Sequence, residues 1–381
     1  MSGALIQLVS KGVQDVYLTS EEGHSFFRMK FTRHTNFSQA PKLIKSVTQT
    51  DNSITIPVLG DIINGIWFEK VGVDAVNMSS NLFYNSTIEL YIGGQKIDSQ
   101  HFDYYSDIWH NYMSDTWSKT QELNNKVSKS NPAFLPLHFF FCDHKAFLPL
   151  LALQHHQVEI KINFDDTYYN DSVLNLTAAQ KRINVYGNYI YLDKEERESL
   201  VGRSLDFVIT QTQQINLPLE TVADNALGGG DNTFDISSFN HPVKSIFFGF
   251  GALSDDFAND RLTFLSGDIQ INGTPILEHM SPNYFHTVQN YYKSSYGASD
   301  FVSETNVLFN TRYFVYHFCL NASDYNPSGT CNFSRIDNAK LVLRGVEKGN
   351  LRPSNQELSI FAVNYNVLRI KDGLAGILFG N

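Results

Sequence analysis

The chain has 381 residues, more than one hydrophobic core usually organises, so we expect at least two domains. Hydrophobic residues make up 42% of the sequence and charged residues 18%, a balance that excludes a disordered chain. The formal net charge of −10 repels polyanions, which argues against a protein that binds nucleic acid through its phosphates.

The cysteines and the apolar runs indicate the setting of the protein. Cys142, Cys319 and Cys331 have no CxxC spacing, so the sequence predicts reduced thiols and neither a disulfide framework nor a zinc ribbon. No apolar run approaches the ~20 residues that a membrane helix needs. The first residues also lack the pattern of a signal peptide, so we expect a soluble protein made without secretion.

Alternation of apolar and polar residues is the recurrent pattern of the first half. Residues 87–92 alternate and then meet Gly93-Gly94, which predicts a β-hairpin that returns through residues 95–97. Apolar residues at helical spacing over 104–113 predict a short amphipathic helix that covers a sheet. Residues 159–164 alternate again and predict a half-buried strand.

The second half opens after a charged segment. Residues 193–200 predict a helix, and strands resume at 204–209, so the sequence predicts a domain boundary near residue 200. Residues 268–276 predict a hairpin around Asn272-Gly273. The run 312–320 is apolar on both faces, which predicts a strand in the middle of a packed sandwich. Two halves rich in short strands are typical of two sandwiches or jelly rolls.

A cluster of potential metal ligands lies before and after residue 150. It consists of His138, Cys142, His144, His155 and His156. The adjacent pair His155-His156 would point to opposite faces of a strand, so at most one of the two could join a site. We interpret these histidines as structural and predict no metal site.

Catalytic patterns are weak. Asp165-Asp166 could suggest a glycosidase carboxylate pair, but neighbours in an extended chain diverge, whereas such chemistry needs carboxyls that face each other. Neither a Gly-x-Ser-x-Gly elbow nor a Walker sequence occurs, and Gly249-Phe250-Gly251 is only part of a dinucleotide fingerprint. The sequence therefore predicts no catalytic residue, no cofactor and no enzyme activity.

Glycosylation acceptors are the remaining candidate sites. Of eight Asn-x-Ser/Thr sequons, those at Asn170, Asn175 and Asn272 fall in predicted loops and are weak candidates for modification.

Several blocks in order along the whole chain carry a family resemblance. They are Gly3–Val9, Gly12–Thr19, Phe26–Arg28, Arg33–Phe37, Leu90–Asp98, Leu135–Leu137, Leu148–Gln154, Tyr189–Asp193, Phe239–Lys244, Asn326–Asn338 and Val363–Ile370. Together they resemble the major capsid proteins of nucleocytoplasmic large DNA viruses, particularly the algal-virus and giant-virus branch.

The resemblance implies an all-β double jelly roll: two consecutive eight-stranded antiparallel sandwiches with a few short helices. It divides the chain into an arm on the inner capsid face (1–24), a first jelly roll (25–200) and a second (201–381). It implies a homotrimer that forms pseudo-hexagonal capsomers of an icosahedral virion shell, assembled in the host cytoplasm. Its partners would be neighbouring capsomers and minor capsid proteins, close to an internal membrane and without direct nucleic-acid contact.

Two alternatives stay open at this point. The ending Lys371–Gly376 departs from the Gly/Met-rich ending of the family, which leaves open a minor double jelly-roll paralogue in the same lattice. A glycan-binding or glycan-cleaving jelly-roll protein is the other class, with Tyr291-Tyr292 or the pair Trp109 and Trp117 as aromatic platforms. Interface and core packing is the interpretation we favour for these aromatic residues.

Overall fold

The structure, a computed structural model, describes residues 10–19, 27, 29, 31–70, 83, 85–116, 119, 134–143, 145–166, 181–219, 230–250, 262, 264–295, 313–346 and 357–380. The chain separates into two compact units, residues 1–36 and 37–381. The first unit contains a short 3-10 helix, Val13–Tyr17, in which the Asp15 carboxylate accepts a hydrogen bond from the Gly12 N–H at 2.6 Å.

Eight strands in the first half of the second unit form two antiparallel sheets. They are β1 (Phe37–Val47), β2 (Ser53–Thr55), β3 (Ile62–Lys70), β4 (Thr87–Ile92), β5 (Gln95–His101), β6 (Phe134–Pro136), β7 (Val158–Asn163) and β8 (Ile183–Leu192). The sheet orders are β1-β8-β3-β6 and β2-β7-β4-β5. These eight strands form the first jelly roll.

The second half repeats this arrangement. Its strands are β9 (Leu205–Pro218), β10 (Asn232–Asp235), β11 (Pro242–Gly249), β12 (Ser266–Ile271), β13 (Thr274–Met280), β14 (Tyr313–His317), β15 (Cys331–Asn332), β16 (Ala339–Arg344), β17 (Glu357–Lys371) and β18 (Leu374–Ile377). The sheet orders are β9-β17-β11-β14 and β10-β16-β12-β13, with β15 paired to β11 and β18 to β17. Apart from β15 and β18, each strand therefore has a counterpart in the first jelly roll.

The alternating pattern places one face of each sheet in a core. In β7, Val158, Ile160 and Ile162 are buried between less buried polar neighbours. The predicted hairpins form at Gly93-Gly94 and Asn272-Gly273, where all four residues have positive φ. Glycine tolerates this backbone without strain, which fixes both turns and the registers that follow them.

Each jelly roll has its own hydrophobic core, but the first core is not made by the first jelly roll alone. Ile209 of β9 together with Leu368 and Ile370 of β17 belong to it. Phe248, Phe285 and Phe314 lie in the core of the second jelly roll. Because strands of the second jelly roll complete the first core, the two jelly rolls are joined by apolar packing.

Short helices connect the strands. A π-helical turn, Tyr104–Trp109, leads into α1 (His110–Tyr112), and a second one, Tyr284–Val288, leads into α3 (Gln289–Lys293). Between the jelly rolls lies α2 (Lys194–Val201), where the predicted helix was expected; the Asp193 side chain caps it by accepting from the Lys194 N–H at 2.7 Å. Two 3-10 helices, Leu150–Ala152 and Phe333–Arg335, also lie in the second unit.

The expectation of a central strand over 312–320 is wrong in one respect. The strand β14 covers only Tyr313–His317, and its one ladder is with β11, so it lies at the edge of its sheet in the described structure. It is apolar on both faces because Phe314 points into the core while Tyr313 and Val315 pack under residues of the first jelly roll. The outer face of β14 is therefore covered by the π-helical turn and α1 of the first jelly roll, where a second sheet was expected.

Across the described residues, none of the helices combines the length and apolar character that crossing a membrane requires.

Candidate assembly surfaces

A third hydrophobic cluster joins the two jelly rolls, and we call it the seam cluster. The first jelly roll contributes Tyr104, Ile108 and Tyr112 from the π-helical turn and α1. The second contributes side chains from the outer face of its sheet β9-β17-β11-β14, namely Phe247, Tyr313, Val315, Phe361 and Val363. The rings of Tyr112 and Phe247 lie 5.7 Å apart. The spacing i, i+4, i+8 places the three contributing side chains of the first jelly roll on one helical face.

Buried hydrogen bonds fix the position of this helical segment. The Tyr112 hydroxyl donates to the Tyr313 carbonyl oxygen at 2.5 Å and lies 2.9 Å from His286 Nδ1. Because the hydroxyl has one hydrogen, His286 Nδ1 must carry the proton of the second bond. Burial lowers the pKa of His286 to about 4, so this ring is neutral at neutral pH. The Tyr313 hydroxyl in turn donates to Asp103 Oδ2 at 2.8 Å.

A second contact between the jelly rolls joins β5 to β9 and contains a buried carboxylate. Asp98 accepts hydrogen bonds from the Thr212 N–H at 2.8 Å, the Ser99 N–H at 2.9 Å and the Gln100 side-chain amide at 2.6 Å. Burial nevertheless outweighs these donors and raises the pKa of Asp98 to about 7. The Gln211 amide donates to the Ile97 carbonyl at 2.5 Å, which ties the two strands together beside it.

Two aromatic surfaces lie outside these seams. On α3, Tyr291 and Tyr292 are 78% and 71% exposed, and their rings meet nearly at right angles, 4.9 Å apart. On the sheet of the first jelly roll, Trp67 stacks on Tyr186 at 5.8 Å, and both remain half-buried. Exposed aromatic surface of this kind marks protein contacts on soluble proteins.

The histidines of the predicted cluster have structural roles. The ring of His138 stacks on Trp109 with centroids 3.8 Å apart. The backbone N–H of His155 donates to the Gly373 carbonyl, and His156 Nδ1 accepts from the Ala375 N–H, so both hold the β17-β18 turn. His144 lies outside the described residues. Within the part of the chain that is described, no group of three or more His, Cys, Asp or Glu side chains is placed to bind a metal ion.

The acidic pair does not form a catalytic dyad in the described structure. Asp165 accepts a hydrogen bond from the Asn85 amide at 2.7 Å, and Asp166 accepts one from the Gln49 amide. Of the platform candidates, Trp109 is half-buried against His138, and Trp117 lies outside the described residues. The Tyr291-Tyr292 pair offers perpendicular rings instead of one flat stacking surface.

One of the three sequon candidates can be placed. Asn272 lies exposed in the β12-β13 turn, where its side-chain oxygen accepts from the Asn338 N–H at 3.2 Å. Asn170 and Asn175 lie outside the described residues. Modification of all three stays a prediction.

The residues that join the jelly rolls were not found as a site from the sequence. Helical spacing predicted the segment with Tyr104, Ile108 and Tyr112, but not which sheet it covers. Asp98 had no signal of its own, since a single acid in a strand is usually exposed. The partners that join them to the second jelly roll, the Tyr313 carbonyl and the Thr212 N–H, lie more than 100 residues away in the sequence.

Comparison with known protein families covers nearly all of the chain. Residues 25–193 match the model described as the N-terminus of the major capsid protein. Residues 196–376 match the model described as the major capsid protein of large eukaryotic DNA viruses. The two matches meet at α2, between the two jelly rolls.

Individual relatives match over their full length. The chain is 32% identical to the major capsid protein of Pyramimonas orientalis virus and 31% identical to that of Paramecium bursaria Chlorella virus 1, with all of both chains covered in each case. A quasi-atomic model of the PBCV-1 virus capsid is similar in structure, with a TM-score of 0.72 and 25% identity over 94% of this chain and all of that chain. Major capsid proteins are structural components of the virion and not enzymes. This chain belongs to the family of major capsid proteins of large eukaryotic DNA viruses.

Proposed function

We propose that the chain forms a homotrimer whose six jelly rolls make a pseudo-hexagonal capsomer, and that these capsomers tile an icosahedral shell. The observation that carries this proposal is the asymmetric contact within one chain. A helical segment of the first jelly roll packs on the outer face of the sheet β9-β17-β11-β14 of the second. The two jelly rolls have the same strand order, but within one chain only this one of the two equivalent contacts is made. If the second jelly roll of one copy makes the same contact with the first jelly roll of the next copy, the contact is head-to-tail and repeats from copy to copy until a ring closes.

Three copies close the ring if each jelly roll occupies one of six similar places. The similarity to the PBCV-1 capsid model supports assembly into a shell, and the number of three is what the resemblance of the whole chain to the family implies. We expect light scattering on the purified protein to give three times the mass of one chain. A stable monomer at micromolar concentration, or one that hydrolyses or retains glycans, would overturn the proposal.

The division of the chain follows from the same proposal. Residues 1–24 form the arm, 25–200 the first jelly roll and 201–381 the second. Assembly takes place in the host cytoplasm, beside an internal membrane and without direct contact to nucleic acid. Whether the chain is the principal coat protein or a minor paralogue depends on its copy number in the particle.

We propose that the arm contacts neighbouring capsomers or minor capsid proteins on the inner face of the shell. The support is the exposure of large apolar side chains within the arm: Val13, Val16, Tyr17 and Leu18. Apolar surface of this extent usually marks a contact with another protein.

Deletion of Met1 to Leu18 is expected to leave the trimer intact and to reduce assembly of trimers into shells. The physical reason is that the jelly-roll cores lie in residues 37–381, so the deletion removes no core residue. Size-exclusion chromatography with light scattering measures the trimer, and electron microscopy of particles measures shells. Loss of the trimer itself would contradict the assignment of the arm.

A further inference from the structure

The two halves of the chain correspond residue by residue where the jelly rolls meet. In β3 and β11, Ile66-Trp67-Phe68 corresponds to Ile246-Phe247-Phe248, because Phe68 and Phe248 each point into their own core. Trp67 pairs across the ladders with Pro136 and Tyr186. In the same way, Phe247 pairs with Val315 and Phe361. The row Trp67, Pro136, Tyr186 is thus the counterpart of the row Phe247, Val315, Phe361.

The helical segments correspond as well. Both π-helical turns begin at a tyrosine, Tyr104 and Tyr284, and each is followed by an aromatic residue in its own core. The alignment makes Val288 the counterpart of Ile108 and Tyr292 the counterpart of Tyr112.

Equivalent residues differ in burial. Tyr112 is 1% exposed within the seam cluster, whereas its counterpart Tyr292 is 71% exposed. The row of Phe247 is fully buried under the helical segment of the first jelly roll, whereas Trp67 and Tyr186 are half-buried. One copy of the chain therefore contains one complete helix-on-sheet contact and both halves of a second that it cannot complete itself.

The contact between β5 and β9 shows the same asymmetry. Ile97 of β5 is 2% exposed and lies in the first core with Ile209 of β9. Its counterpart in β13 is Ile276, because each is the third residue of the strand after a positive-φ turn and each is skipped by the ladder at a β-bulge. Ile276 is 44% exposed. The first jelly roll contacts the second through its helical segment and through β5. The second jelly roll has the counterparts of both surfaces, and there they are exposed.

From this correspondence we infer that Tyr292 and Val288 of one copy pack on Trp67, Pro136 and Tyr186 of the next copy, in the geometry of the internal seam cluster. The partner of Tyr292 and Val288 is a second copy of this chain. The sheet face with Phe247, which these side chains would match within their own copy, is already covered by α1. The equivalent face with Trp67 lies on the first jelly roll of another copy. The inference rests on the proposed trimer and names its contact residues.

The first test is a charge placed in this interface. Tyr292→Glu is expected to raise the protein concentration at which half of the chains are assembled by roughly a hundredfold, as for a central aromatic residue of an interface. Val201→Glu is the matched control, since it changes an exposed aliphatic side chain of α2 outside both surfaces and should assemble like the wild type. Circular dichroism and the thermal midpoint verify that both variants fold.

The second test is cross-linking. In the double variant Trp67→Cys with Tyr292→Cys, a short bismaleimide is expected to link chains covalently up to three copies. Each single variant measures the background from Cys142, Cys319 and Cys331. If the wild type is not a trimer, the proposed function fails. If it is a trimer, but Tyr292→Glu assembles normally and the double variant is not linked, the inference fails and the trimer stands.

Discussion

Replacing Tyr112 by alanine is expected to lower the free energy of unfolding by about 3–5 kcal/mol, as for other large buried aromatic side chains. The ring fills the centre of the seam cluster against Phe247 and is almost completely buried. Its hydroxyl also makes hydrogen bonds to the Tyr313 carbonyl and to Nδ1 of His286, and both bonds are lost in the variant. Because these contacts couple the two jelly rolls, calorimetry should show the unfolding of the two domains separating.

Tyr112→Phe is the matched control, since it keeps the ring and removes only the hydroxyl. It removes the two hydrogen bonds that the hydroxyl makes to buried groups and is expected to cost about 1–3 kcal/mol. Both variants must be compared at one protein concentration, because assembly adds to the apparent stability. A loss below about 1 kcal/mol for Tyr112→Ala would contradict the role of the seam cluster as the joint between the domains.

Local features of the fold could be predicted from the sequence because they depend on nearest neighbours. Alternation of apolar and polar residues predicted β4, β7 and β9. Turns that contain glycine predicted two hairpins, and a charged segment predicted α2. The edge position of β14 could not be predicted, because its second apolar face is covered by a segment of the first jelly roll. That contact is a property of how two domains pack, which no local pattern of the strand contains.

The internal correspondence was also hidden in the sequence. Ile66-Trp67-Phe68 and Ile246-Phe247-Phe248 are recognisably similar, but the paired rows Pro136, Tyr186 and Val315, Phe361 share only their apolar character. Core packing tolerates such changes of shape when volume and pattern are kept, so two halves can share one topology although their sequences differ. The strand orders and ladder registers were needed to align the halves.

The stability that Asp98 contributes is expected to fall as the pH rises from about 4 to about 7. Burial raises the pKa of Asp98 from its ordinary value of 3.8 to about 7, so the folded chain binds this proton more tightly than the unfolded chain does. Below the unfolded pKa both states are protonated, and the full contribution is present. Once the pH has risen through the pKa of Asp98 in the folded chain, the buried carboxylate is charged. The free energy of unfolding has then fallen by up to about 4 kcal/mol.

Asp98→Asn isolates this effect from the other titrating groups. The pKa values of Glu89, Asp206, Asp235 and Asp268 are lowered, which gives the opposite slope, but they titrate in both proteins and cancel in the difference. The asparagine keeps its oxygen for the N–H groups of Thr212 and Ser99 but turns an NH₂ toward the Gln100 amide.

The Gln100 side chain cannot turn over to relieve that contact between two donors. Its oxygen accepts from the Tyr105 hydroxyl, and its NH₂ group also donates to the His138 carbonyl at 3.1 Å. The asparagine variant is therefore expected to be less stable than the wild type by about 1–3 kcal/mol near pH 4, where Asp98 is protonated. Urea unfolding at several pH values should show this gap closing, and then reversing, toward pH 8, since only the wild type acquires the buried charge. A gap that stays constant would show that Asp98 ionises normally, and a gap that widens would show that its three donors outweigh burial.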